Sequence, residues 1–218
     1  DCLAEKAIQL LGENLVAAVN DASNTAAKDA VALAATLAGL AFSNAGVALV
    51  HALEYPLGGV LYCSHGAGNG LLLPYVMRFN LPARVEVFAR IAELLGVETD
   101  GLPAADAGLR GIEHVEQIRR QIGIPLQIRE LGGRRDQLEL FADKTFEIQR
   151  LFWLNPRQAS REDVLEIYLN FIAANYVSNR SGASTTVRNN LETGGEQIFP
   201  LQLSGGHCHT IVGSADEH

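Results

Sequence analysis

Cysteine is scarce in this 218-residue chain, and its three cysteines, Cys2, Cys63 and Cys208, form no CxxC pair. Such spacing offers neither a disulfide framework nor a zinc ribbon and suits a reducing compartment. Aromatic residues are few as well, at 6% against a hydrophobic share of 48%. The core must then come from Ala, Leu, Val and Ile, which favours closely packed helices over a β-sandwich. Basic residues are the third shortage, 17 Lys and Arg against 25 Asp and Glu for a net charge of −8. Without a basic footprint for phosphate, no nucleic-acid partner is expected. No basic segment followed by an apolar one opens the chain, so the expected location is cytoplasmic.

What is present is helical periodicity. A chain of this length buries roughly 70% of its unfolded surface, enough for one main core. Leu3, Ala7, Leu10, Leu11, Leu15 and Ala18 recur at helical spacing and predict an amphipathic helix ending near Asn20. Ser23 or Asn24 is placed to cap the next helix, which is apolar nearly all round from Ala30 to Phe42. Such a helix is expected to be central. The apolar run from Ala30 to Val50 has membrane-spanning length, yet Thr36, Ser43, Asn44 and Gly46 interrupt it, and the expected reading is helices of a non-membrane protein.

Further helices are predicted around Leu71 to Met77, from Val85 to a cap at Gly96, from Pro103 to Gly123, around Leu138 to Phe146, and after a capping box at Ser160 to Asp163. Fold class is therefore all-α, a helical bundle over residues 1–172, followed by an irregular or disordered tail over 173–218. The stretch from Asn179 to Gly195 has no helical period and is expected to be loose. Ile198 to Leu203 has strand character but no evident partner.

The chemistry concentrates in Asn44 to Gly70. His51 and His65 lie fourteen residues apart, and Pro56, Gly58 and Gly59 between them predict a break that lets two helices present both imidazoles to one point. His51 follows an apolar run, where an unpaired imidazole is costly. His65 precedes Gly66, Ala67 and Gly68, small residues suited to close packing. Two imidazoles suit iron(II) or zinc, but a metal site needs three or four protein ligands, and no further ligand is evident. Glu54 and Tyr55 share a helix face with His51. Cys63 reads as a structural thiol, His114 as a surface residue, the pair Arg134 and Arg135 as a solvated turn, and the tract His207, Cys208, His209 as incidental for want of partners at ligand spacing.

Taken together, GVALVHALEYPLGGVLYCSHGAGNGLLLPYVMRFN closely resembles the metal-binding signature of the iron-containing (group III) alcohol dehydrogenases. Supporting segments include IPxxxRELG at Ile124 to Gly132 and NPR at Asn155 to Arg157, and the likeness fades after about Tyr168. The resemblance implies the all-helical C-terminal domain of a metal-dependent, NAD(P)-linked alcohol dehydrogenase or carbonyl reductase. It implies His51 and His65 as two metal ligands, iron(II) or zinc as the metal, and a small alcohol, aldehyde or ketone as substrate. NAD or NADP would be bound mainly by a nucleotide-binding domain that, with the remaining ligands, precedes Asp1. The isolated chain is then expected to be inactive. No membrane partner is implied, and a homo-oligomer is compatible with the reading. Where the family motif has a further histidine, four residues after the first ligand, this chain has Tyr55, a candidate catalytic residue. The alternative from a non-enzyme class is an inactive, all-helical structural or interaction domain.

Overall fold

The computed structural model describes residues 1–172 and, in the tail, 189–191, 195–197, 199–203 and 207–211. The chain opens with an antiparallel helical pair, α1 (Cys2–Asn20) and α2 (Thr25–Ala45). Asn24 supplies the cap between them, its side chain accepting from the Ala27 amide at 3.0 Å. Gly46, at φ 79°, ends α2 in a conformation that a side chain resists.

The expectation that α2 is central is corrected. Only Ala27 and Ala34 of this helix are buried, while Leu33, Leu40 and Phe42 are 51–52% exposed. The small residues let α2 lie close to α1, and the larger side chains point away from that single neighbour. By length and composition α2 alone, among the described residues, is apolar enough to cross a membrane.

The main core is built on α3 (Leu49–Leu61) and α4 (His65–Asn80), which pack with α7 (Leu138–Phe146), α8 (Gln149–Trp153) and α9 (Arg161–Ile172). Leu53, Leu57, Leu71, Leu72, Phe141, Val164 and Tyr168 are sealed inside it. That α8 is separate from α7 was not foreseen. The cap of α9 was: the Asp163 amide donates to Ser160 Oγ at 3.1 Å, and the Ser160 amide donates to Asp163 Oδ2 at 2.8 Å.

A second, smaller core joins the end of α4 to α5 (Val85–Leu94) and α6 (Ala104–Gln121) through Met77, Phe88 and Ile112. Gly111 makes the α5–α6 approach close, since a Cβ there would lie 2.7 Å from that of Ala92. Leu109, three residues before the buried Ile112 on α6, is exposed.

Two segments noted separately in the sequence meet between α4 and α8. Asn80 and Asn155 exchange side-chain amide hydrogen bonds of 3.0 and 2.7 Å, both residues buried. Arg157 then lies over the Phe79 ring, 4.0 Å from its centre, and donates to the Phe79 carbonyl at 3.0 Å. This pairing joins the end of MRFN to NPR.

In the tail, β1 (Asn189–Leu191) pairs with β2 (Gly195–Gln197), and β3 (Phe199–Leu203) pairs with β4 (His207–Ile211), both antiparallel. The expectation that Ile198 to Leu203 lacks a partner is thus corrected: the partner begins four residues after Leu203, a separation that hairpins use. His207, Cys208 and His209 lie on β4. Most of the stretch expected to be loose, Asn179 to Gly195, lies outside the described residues.

Candidate metal centre

The two histidines occupy the first turns of adjacent helices. His51 is the third residue of α3, whose inner face carries Ala52, Leu53 and Leu57 into the core. The break predicted at Pro56, Gly58 and Gly59 does not occur there; α3 runs through all three to Leu61. Pro56 removes one donor, but the burial of the residues around it holds the helix together. Next to the carbonyl so deprived, that of Leu53 accepts 2.7 Å from the Tyr168 hydroxyl, which also lies 2.8 Å from Thr145 Oγ1.

The chain turns later, at Tyr62, whose left-handed φ of 55° is the sole positive value on a non-glycine residue among those described. Tyr62 closes α3 by donating its amide to the Gly58 carbonyl. Ser64 then opens α4 by accepting from the Ala67 amide at 3.3 Å, which makes His65 the first helical residue. The outcome matches the expected convergence by a different turn: the imidazole centres of His51 and His65 are 5.2 Å apart, their planes inclined by 40°.

Three polar residues complete the surroundings. Glu54, on the turn after His51, is buried, and its Oε2 lies 2.6 Å from His65 Nδ1. Asn69, one turn into α4, places Nδ2 3.1 Å from His65 Nε2, 3.3 Å from Nδ1 and 3.0 Å from the His65 carbonyl. Its Oδ1 is buried without a partner. Tyr55 is 41% exposed, with its ring 6.4 Å from that of His65 and nearly parallel to it.

Charge and burial set the protonation of the group. Burial, reinforced by the nearby His65 and opposed by Glu54, holds the His51 imidazole below the ordinary histidine range. It is therefore neutral near pH 7, with a lone pair free to bind. Burial first, and Glu54 second, push the Cys63 thiol up, so it stays protonated and is a poor ligand. That agrees with its reading as a structural thiol.

The donor set fits half of a metal site. A tetrahedral ion held about 2 Å from one nitrogen of each imidazole requires ring centres roughly 5 Å apart, the spacing found. Among the described residues no group of three or more His, Cys, Asp or Glu side chains is arranged to hold a metal. Two nitrogen donors from this chain need others to complete the shell. Sequence reasoning placed Glu54 near His51 but assigned it no role, and it passed over Asn69. The available signal for Glu54 was a lone carboxylate in an apolar helix, with Gly58 one turn on.

A sequence model of the Fe-containing alcohol dehydrogenase family, C-terminal, matches residues 1–172. The chain is 39% identical over 168 residues to a 1,3-propanediol dehydrogenase of Citrobacter freundii, covering 77% of this chain and 43% of that protein. It is 39% identical over 170 residues to an NAD-dependent methanol dehydrogenase of Bacillus methanolicus, covering 78% and 44%. Among solved structures, a 1,3-propanediol oxidoreductase superposes with a TM-score of 0.76 at 37% identity, covering 78% of this chain and 44% of the other. An alcohol dehydrogenase from Oenococcus oeni gives 0.75 at 34%, with the same coverage of 78% and 44%. The chain thus spans less than half the length of the curated relatives it matches.

Proposed function

The chain belongs to the iron-containing alcohol dehydrogenase family, and from that membership we propose that it forms the helical, metal-binding part of an NAD(P)-linked alcohol dehydrogenase or carbonyl reductase. The observation that carries the reading is the convergence of His51 and His65 to 5.2 Å at the start of two helices. On this reading both imidazoles ligate a divalent ion, iron(II) or zinc, whose other ligands lie outside the chain. When bound, the ion supplies Lewis acidity toward an alcohol or carbonyl oxygen, and NAD or NADP, held mainly outside this chain, accepts or returns the hydride.

The chain's own residues do the rest. His51, partly buried at the start of a helix whose next residues, Ala52 and Leu53, are sealed in the core, offers a neutral nitrogen. On this reading Tyr55, half-exposed and with its ring beside that of His65, hydrogen-bonds an oxygen at the site and passes a proton through its hydroxyl. The relatives' names, 1,3-propanediol dehydrogenase and methanol dehydrogenase, support a small alcohol, with the corresponding carbonyl compound, as substrate.

The test is made on a protein in which this chain is joined to a nucleotide-binding half of the family. Wild type is expected to retain metal and oxidise short alcohols with NAD or NADP, and His51→Ala and His65→Ala are each expected to lose both. Metal retention and hydride transfer untouched by either substitution would overturn the reading. Tyr55→Phe is expected to keep the metal and lower kcat by roughly 10²-fold or more if the hydroxyl carries the proton.

A further inference from the structure

We infer that Glu54 is a positioning residue for His65: its buried carboxylate accepts the Nδ1 proton and so presents the Nε2 lone pair as the nitrogen available for binding. The inference rests on the ligand reading above for its purpose, but not for its geometry. Glu54 lies on a helix face otherwise given to Leu53 and Leu57, and its side chain is only 4% exposed. A carboxylate in such a place is costly unless a partner holds it.

The packing around it is shaped to keep it there. A Cβ on Gly58, one turn further along α3, would lie 2.8 Å from Glu54 Oε1. A Cβ on Gly68, on the facing α4, would lie 2.8 Å from Glu54 Cγ and 3.1 Å from Oε1. Both helices thus lack a side chain where the glutamate passes. The two gaps admit the glutamate to the space from which its other oxygen, Oε2, reaches His65.

The hydrogen bonds then assign the tautomer. An ionised carboxylate only accepts, so the 2.6 Å contact to Nδ1 requires the proton on that nitrogen. On the other side, the Asn69 amide nitrogen donates to the His65 carbonyl at 3.0 Å and lies 3.1 Å from Nε2 and 3.3 Å from Nδ1, so it does not choose between the ring nitrogens. The Glu54 contact is therefore the one that assigns the form of the ring. Ligating histidines commonly donate their second nitrogen to a carboxylate, which fixes ring orientation and raises donor strength. Glu54 is set apart from a ligand by this contact, since the oxygen nearest the histidines is already engaged by Nδ1.

The experiment is long-range proton–nitrogen correlation of the histidine rings in the 15N-labelled 218-residue chain without metal, at a pH where the imidazoles are neutral. His65 is expected to carry its proton on Nδ1; a proton on Nε2 overturns the inference, and this arm needs no variant. E54A, checked for helicity by circular dichroism, is expected to mix the tautomers and to weaken zinc(II) binding by the chain about 10–100-fold, measured by chelator competition. An unchanged tautomer or unchanged zinc affinity in folded E54A overturns it. E54Q, which keeps the shape and an accepting oxygen, is expected to retain the Nδ1 proton. H51A separates the two readings: zinc affinity insensitive to it overturns the ligand assignment, whereas the His65 tautomer in H51A is expected to match wild type.

Discussion

The outer pair α1–α2 and the crossing of α3 with α4 are both rich in apolar residues, yet they occupy opposite positions in the fold. The longer apolar run, in α2, buries little beyond Ala27 and Ala34. The pair that contains Pro56, Pro74 and the charged Glu54 holds the main core. The difference teaches that an apolar helix becomes central through the number of neighbours it meets, not through its own composition. Large side chains on several faces of α3 and α4 find partners on α7, α8 and α9, whereas α2, among the described residues, packs chiefly against α1.

The contrast is broken or sustained most sharply by truncating leucines. Leu53→Ala, at a fully buried site on α3, is expected to cost about 2–5 kcal/mol in urea unfolding through lost burial and a cavity. Leu40→Ala, on the open side of α2, is expected to stay within about 0.5 kcal/mol of wild type. Equal costs at the two sites would mean that α2 is covered in solution and the comparison fails.

Glycine gives the next largest separation. Gly68→Ala thrusts a methyl against Glu54 and is expected to cost about 1–3 kcal/mol, read by the same unfolding curves. Gly39→Ala meets nothing within 4 Å and is expected to stabilise α2 by about 0.4–1 kcal/mol, because it narrows the unfolded ensemble. Opposite signs sharpen the comparison; matching signs remove it.

A last effect, of about the size of a single hydrogen bond, is at Tyr168. Burial raises its hydroxyl well above the usual tyrosine range, with the Thr145 hydrogen bond opposing. The folded chain then keeps this proton where the unfolded chain loses it, so stability is whole below about pH 10 and declines as pH rises beyond it. Tyr168→Phe is expected to cost about 1 kcal/mol at pH 7 and to flatten that alkaline decline, measured by urea midpoints across pH. A midpoint whose alkaline slope ignores the substitution would remove Tyr168 from the account.

Much of the helical body was legible as sequence, because caps and periodicity are local. Asn24, Gly96, Gly123 and the Ser160–Asp163 box stand where the helix ends were expected. The turn between the histidines was misplaced because proline and glycine report local preference, while the burial that carries α3 through Pro56 comes from residues about a hundred positions away. Tyr168, which donates to the Leu53 carbonyl, is one of them. The partner of β3 was missed for a lesser reason, since β4 carries a tract that reads as metal-ligating before it reads as strand.

The sequence by itself determined that this is a helical chain with a histidine pair in a family-specific setting, since spacing and motif are properties of the chain alone. Only the tertiary structure decided that the two imidazoles face each other at 5.2 Å. It alone seated Glu54 against one of them, because a buried carboxylate takes its meaning from what the facing helix puts beside it. And it alone turned α2 outward, since burial is a relation between elements that no single element contains.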